Sequence, residues 1–218
     1  MPELVTIPTS YFELVVDYVH PNLKISADRA TVIQVVFDAL KPWNPTIDDI
    51  EVISAGKISE QGFTVKLPLR SASFFFGLAM CRFTQDAVTW DSAEDTINIL
   101  NSAFTAFSAY TGVVLGDKRA AIGIHLQPQK LTFLDLLKPF LHPSLIALDA
   151  APLRTGAVIL KWEKRKVTLD GSAVLANGVF LKIERTFENN QTHSEIADQL
   201  KTDEDELLKL LGVEEDRK

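Results

Sequence analysis

The sequence predicts an α+β protein made of two βαβββα-like halves, with antiparallel sheet and with helices packed mainly on one face. Two observations support this prediction. Short segments that alternate apolar and polar residues recur along the chain, as half-buried strands do. The same order of elements also appears in residues 1–112 and in residues 113–218, which indicates an internal duplication even though no residue-level repeat is found. The halves are expected to form two sheets or one long sheet, as two domains or as one continuous domain.

The first half opens with a strand and a helix. The segment YFELVVDYV, residues 11–19, is rich in β-branched and aromatic residues and stops at His20 and Pro21. Ser26 is the predicted N-cap of a helix that Pro42 ends.

Three strands and a long helix complete this half. The strands are predicted in IEVISAG, FTVKLPL and SASFFFGLAMC. Their predicted boundaries are turn residues: Gly56, Gly62, Arg70 and Ser71. Asp91 and Glu94 form a capping-box pattern for the helix, and Gly112 follows its last turn.

The second half repeats this order. A strand over residues 120–126 precedes a short helix that Thr132 and Asp135 open, and Pro139 limits its length. A loop is predicted over residues 149–156. The β-rich segment that follows contains two hairpin-turn dipeptides, and a second capping box opens a terminal helix that Thr202 is expected to interrupt. These turns and this box are Asp170-Gly171, Asn177-Gly178 and Thr192 with Glu195.

The segment SASFFFGLAMC, residues 71–81, supplies the candidate binding residues. As one continuous strand it would place Phe74, Phe76, Leu78 and Met80 on one face. Because neither face of such a strand suits water, we expect this set to form intramolecular core, an oligomer or partner interface, or the wall of a ligand cavity. Trp43, where a loop leaves a helix, is expected to be a packing residue or a further binding residue.

Composition excludes several classes of function. The net charge of −7, from 22 basic and 29 acidic residues, argues against general binding to nucleic acid or to anionic membrane. Cys81 is the only cysteine, so it is expected to be a small core residue, and the chain is expected to lie in the cytoplasm. The first residues predict no signal peptide, and no apolar run reaches the length of a membrane span.

The motif search favours a protein without a catalytic signature. Neither a nucleotide-binding glycine loop nor a nucleophile elbow nor a zinc-binding histidine pair occurs, so no metal site and no cofactor are predicted. His125, Asp135 and His142 are the first candidates if the chain is an enzyme with a dispersed site. The basic cluster KWEKRK, residues 161–166, is expected to be the wet face of a strand with a bulge or tight turn near Lys164 rather than a nucleic-acid site.

The last 18 residues, 201–218, carry seven acidic and four basic side chains. This acidic segment is interpreted as solubilising rather than regulatory.

The middle of the chain contains VTWDSAEDTINILNSAFTAFSAYTGVVLGDKRAAIGIHL and FLDLLKPFL, with Trp90 near a helix start and Ile122-Gly123-Ile124 in the next strand. In these segments it resembles a widespread, sporadically distributed bacterial family of uncharacterised proteins. The family usually continues with Arg-Tyr-x-Asn, where this chain has His125, Leu126 and Gln127. The order of elements also resembles the SecB-like export chaperones, which implies assembly through sheets and helices and binding of unfolded chains.

The expected function is therefore that of a cytoplasmic, non-catalytic interaction protein that self-associates and binds polypeptide. Two alternatives stay open: a carrier of a small apolar ligand, and an enzyme with a dispersed site.

Overall fold

The structure is a computed structural model, and it describes residues 2–54, 56–57, 60–142 and 156–216. It confirms the α+β class, with antiparallel sheet and helices. The chain divides into two compact units. Unit I contains Tyr11–Ala120 and Thr186–Asp198, and unit II contains Met1–Ser10, Ala121–Arg185 and Gln199–Lys218. The predicted halves, 1–112 and 113–218, stay a prediction, and each unit takes segments from both of them.

Ten strands and five α-helices lie in the described residues. The strands are β1 Glu3–Tyr18, β2 Ile50–Ile53, β3 Gly62–Leu67, β4 Ala72–Gly77, β5 Met80–Asp86, β6 Leu115–Pro128, β7 Ala157–Lys161, β8 Arg165–Gly171, β9 Val179–Phe187 and β10 Val213–Glu215. The helices are α1 Lys24–Ala27, α2 Arg29–Leu40, α3 Ala93–Thr111, α4 Phe133–Leu137 and α5 His193–Leu210. No helix in these parts of the chain is both long enough and apolar enough to cross a membrane.

Unit I is a sheet with helices on one face. Its strands follow the order β2-β3-β4-β5-β1-β6. Ring contacts join the sheet to α3, where Phe104 and Phe107 reach Phe74 and Phe76. The large side chains of this unit are therefore buried between the sheet and α3.

Unit II has the strand order β6-β9-β8-β7. Buried residues of β8 and β9 form its core beside α4 and the C-terminal part of α5: Val167, Leu169, Val179, Leu181, Ile183, Leu136, Leu137 and Leu207. The C-terminal strand β10 pairs in parallel with the start of β1, where Glu3 lies opposite Val213. This last strand was not predicted, because three residues carry too little periodicity to be recognised.

Several local predictions are confirmed. The Thr132–Asp135 box opens α4, where the Thr132 hydroxyl donates to the Asp135 carboxylate over 2.7 Å. Thr192 and Glu195 form the corresponding box at α5. Gly112 ends α3 in the left-handed conformation with φ of 70°.

Four local predictions are wrong. Ser26 lies inside α1, because Asp28 is the residue that precedes the longer helix. The turn before α3 is capped by Thr89 with Ser92, not by Asp91. Thr202 does not interrupt α5, which is continuous.

The fourth error concerns the predicted Asp170-Gly171 hairpin. These residues end β8, and the connection to β9 is one longer loop in which Asn177 has φ of 59°.

The tight turn predicted in KWEKRK is confirmed. The segment forms parts of two strands, and a hydrogen bond from the Trp162 amide to the Arg165 carbonyl closes the turn between them. Of the loop predicted over residues 149–156, all but Gly156 lies outside the described residues.

Candidate functional site

The core face of the unit I sheet contains two of the predicted binding residues. Phe74 and Phe76 are fully buried, and their rings lie 5.6 Å apart. Phe76 contacts Phe107 of α3 at 4.7 Å between ring centroids. Cys81 is also fully buried on this face, as predicted, and burial raises the pKa of its thiol.

The prediction that Phe74, Phe76, Leu78 and Met80 share one face is wrong. The chain turns after Gly77, because the carbonyls of Leu78 and Ala79 accept hydrogen bonds from the amides of Asn22 and Tyr18. Leu78 is buried in this turn, whereas Met80 begins β5 and is half-buried on the opposite side of the sheet. Three of the four predicted residues therefore have at most 4% of their surface exposed, and Met80 alone reaches another surface.

That other surface, here called the open face, is the side of the unit I sheet away from Phe74 and Phe76. Strand register places Thr64, Phe75 and Arg82 in one row across β3, β4 and β5. The same register adds Val15 of β1 beside Arg82. Thr64, Phe75 and Val15 are half-buried, so this face presents apolar and hydroxyl groups to its surroundings.

A groove of about 350 Å³ crosses the open face. It is lined by residues from β2 to β5: Ile53, Glu60, Thr64, Ser73, Phe75, Met80, Arg82 and Thr84. Gly62 and Gly77 pair directly in the row that contains Ile53, and the Phe75 ring lies over Gly77, where a Cβ would come within 2.8 Å of Phe75 Cε1. A Cβ on Gly62 would lie 2.1 Å from the Phe76 carbonyl oxygen, which excludes every other residue there.

Two opposite charges in the groove lack an ion pair among the described residues. Arg82 lies between Phe75 and Val15 in register, with its guanidinium 6.0 Å from the centroid of the Phe75 ring. Glu60 accepts one hydrogen bond, over 3.3 Å from the Lys57 amide.

Two other cations of the open face have ion pairs. The ion pairs are Lys66 with Glu51 at 3.4 Å and Arg119 with Asp17 at 3.2 Å. The groove therefore combines an apolar centre, hydroxyl groups and one charge of each sign.

Trp43, the fifth predicted binding residue, lies outside the groove. Its indole N–H donates to Asp95 Oδ1 over 2.9 Å, and Arg70 holds the other oxygen of that carboxylate at 2.7 Å. This arrangement fixes the segment after α2 to the first turn of α3.

The residues named for a dispersed catalytic site have separate partners. His125 Nδ1 lies 2.8 Å from Ser172 Oγ, and its ring centroid lies 4.8 Å from that of Phe180. Because Ser172 Oγ already accepts bonds from the amides of Val174 and Leu175, its hydroxyl donates to His125. Burial lowers the pKa of His125, which favours the neutral imidazole.

Asp135 serves α4 rather than His125. It caps that helix through Thr132 and pairs with Lys138 at 2.6 Å, and these contacts lower its pKa. His142 is exposed. In the described part of the chain, no group of three or more His, Cys, Asp or Glu side chains is placed to hold a metal ion.

Sequence reasoning did not identify Phe75, Arg82 or Glu60 as site residues. The signal for Phe75 was present, because its alternation with Phe74 and Phe76 puts it on the opposite face. Arg82 could not be recognised, since it joins Phe75 only through the turn at residues 77–80. Searches of protein-family models and of curated proteins found no match to this chain.

Proposed function

We propose that this chain is a non-catalytic, cytoplasmic interaction protein, and that the open face of unit I is its protein-binding surface. The observation that carries the proposal is the groove lined by Phe75 and Met80, together with Arg82, which has no ion pair among the described residues. Aromatic residues, methionine and arginine are enriched in protein interfaces relative to the rest of the surface. These side chains lie on the side of the sheet opposite the packed core, so packing within unit I does not account for their position.

The shape of the groove favours a protein partner over a small ligand. Small-molecule sites are concave and bury most of the ligand surface. This groove lies on one side of a sheet and spans four strands, so a small ligand would be covered on one side only. A partner surface of similar size covers Phe75 and Met80 without an enclosing cavity.

The cytoplasmic part of the proposal is supported by cysteine usage. The chain has one cysteine, and it is buried, so no internal disulfide contributes to stability.

Photo-crosslinking tests the proposed surface. The photoreactive residue p-benzoylphenylalanine replaces Phe75 in one variant and Leu69, which is 73% exposed and outside the groove, in a control. We expect irradiation of bacterial cells expressing each variant to give a defined covalent protein adduct from position 75 and not from position 69. Mass spectrometry then identifies the protein in the adduct, and purified partner must bind the chain and lose affinity for Met80→Asp. Equal yields from both positions, or no adduct, would contradict the proposal.

A further inference from the structure

We propose that the partner of the open face is a second copy of this chain, bound about a two-fold axis that pairs Arg82 of each copy with Glu60 of the other. This inference rests on the proposed function, because it names the occupant of the same surface. Its basis is the charge pattern of the groove together with the size of the face.

The groove carries complementary charges at separate positions. Both line the groove: Arg82 is on β5, and Glu60 lies two residues before the start of β3. In a two-fold interface, residue i of one copy contacts residue j of the other, and j contacts i. A surface with one unpaired cation and one unpaired anion is therefore complementary to itself, and a single two-fold axis forms both ion pairs.

The apolar part of the groove fits the same arrangement. Phe75 and Met80 lie in the groove with the two charges, and Ile53 lies next to the glycine row. Burial of half-exposed aromatic and aliphatic groups supplies the main favourable free energy, and the ion pairs set the orientation.

Among the other acids of the open face, Asp17 and Glu51 already pair with Arg119 and Lys66. Glu13 and Asp86 lie on the same face but outside the groove.

The area of the face is sufficient for a weak dimer. Five strands at a spacing of about 4.8 Å, each about six residues long, give a planar footprint of roughly 500 Å². Two such faces together reach roughly 1,000 Å², which is near the lower bound for a specific interface. We therefore expect a dimer that dissociates on dilution.

Charge reversal tests the pairing in three steps, with sedimentation equilibrium as the measurement. Arg82→Glu places two Glu–Glu contacts in the homodimer, and Glu60→Arg places two Arg–Arg contacts there. We expect each variant to raise the dimer dissociation constant by at least about tenfold, because like charges at an interface are unfavourable. Equimolar mixing of the two variants restores both Arg–Glu pairs in the mixed dimer, so the mixture is expected to associate as strongly as the wild type.

Matched controls separate this effect from net charge. Lys209→Glu and Glu163→Arg make the same changes in charge at exposed positions outside the groove, and both are expected to dimerise like the wild type. Circular dichroism confirms that each variant is folded. The inference is overturned if the wild type stays monomeric up to about 200 µM, a concentration at which weak interfaces associate. It is also overturned if mixing Arg82→Glu with Glu60→Arg fails to restore association.

The two proposals fail separately. A monomeric wild type that still forms a position-75 adduct with a different protein overturns the second copy as partner and leaves the open face as a binding surface. A wild type that stays monomeric and forms no position-75 adduct overturns the proposed function itself.

Discussion

At the scale of single residues, the buried Tyr18 hydroxyl is the group in unit I that most clearly lowers the stability of the fold. The side chain is 9% exposed, its ring lies 5.8 Å from that of Phe107, and its hydroxyl has no hydrogen-bond partner among the described residues. Burial also raises the pKa of this phenol. A buried polar group without a partner keeps its desolvation penalty and gains nothing in return.

Tyr18→Phe is therefore expected to raise the free energy of unfolding by about 1 kcal/mol. Urea denaturation of the wild type and the variant measures this difference. Tyr110→Phe is the matched control, because the Tyr110 hydroxyl donates to the Asp28 carboxylate and its removal is expected to lower stability. A loss of stability in Tyr18→Phe would show that the hydroxyl is hydrogen-bonded.

His193 makes stability depend on pH in a defined window. Burial lowers its pKa from the ordinary 6.5 to about 4, with a smaller contribution from the positive charge of Lys118. Its Nδ1 lies 2.8 Å from Asn101 Oδ1, and its ring lies 5.4 Å from that of Phe104. Between pH 6.5 and 4 the unfolded chain binds more protons at this site than the folded chain does. Stability from His193 is thus complete above pH 6.5 and is lost as the pH falls towards 4.

Replacement of His193 by glutamine should reduce this pH dependence. Glutamine keeps a donor for Asn101 and does not titrate, so the drop in unfolding free energy between about pH 7 and about pH 4.5 is expected to be smaller than in the wild type. His20→Gln, which removes a histidine at an exposed position, is the comparison variant. Identical slopes for wild type and His193→Gln would contradict the assignment.

At the scale of elements, the C-terminal part of α5 is held to unit II by a buried ion cluster. The Asp203 carboxylate is 2% exposed and accepts from Arg185 at 2.7 and 2.8 Å and from Arg165 at 3.1 Å. Arg165 also lies 4.6 Å over the Trp162 ring. The acidic segment is therefore not simply a solubilising tail, since Asp203 and Glu204 are both buried.

Asp203→Asn leaves the mostly buried Arg185 without its carboxylate and leaves Arg165 with only Glu206 at 3.5 Å. We expect a loss of about 3 kcal/mol in the free energy of unfolding, because breaking one side of a buried pair costs more than the pair contributes. Glu206→Gln is the matched control: that side chain is 59% exposed and lies 3.5 Å from Arg165, so its loss is expected to cost less than about 1 kcal/mol. Similar losses in the two variants, measured by urea denaturation, would show that burial of Asp203 is not the deciding factor.

Elements with local signals could be predicted from the sequence, and elements that depend on distant contacts could not. The boxes at Thr132 and Thr192 and the glycine at residue 112 act within one helical turn, so their residue types are sufficient. The turn at Leu78 and Ala79 lacks the usual Gly, Asn, Asp or Pro at its centre and is held by the amides of Tyr18 and Asn22. Because this turn was not predicted, Met80 was assigned to the same face as Phe74 and Phe76. The predicted binding surface therefore combined residues from two faces of the sheet.

At the scale of the whole chain, the open face explains why SASFFFGLAMC is so apolar. Phe74 and Phe76 build the core of unit I, whereas Phe75 and Met80 belong to the opposite surface. The segment was predicted as one strand with two apolar faces. It is a hairpin with one buried face and one half-exposed face. The net charge of −7 opposes association at long range, so association is best measured near 0.15 M salt, where the screening length is about 8 Å.

The most direct test of the account is the molar mass of the protein by light scattering as a function of concentration, for the wild type, Met80→Asp and Leu69→Asp. We predict that the wild type and Leu69→Asp rise above the monomer mass of 24.2 kDa with concentration, towards twice that value. Met80→Asp is predicted to stay at the monomer mass, because the charge lies in the groove. A wild type that remains at 24.2 kDa throughout, or a Met80→Asp variant that associates as the wild type does, would contradict the account.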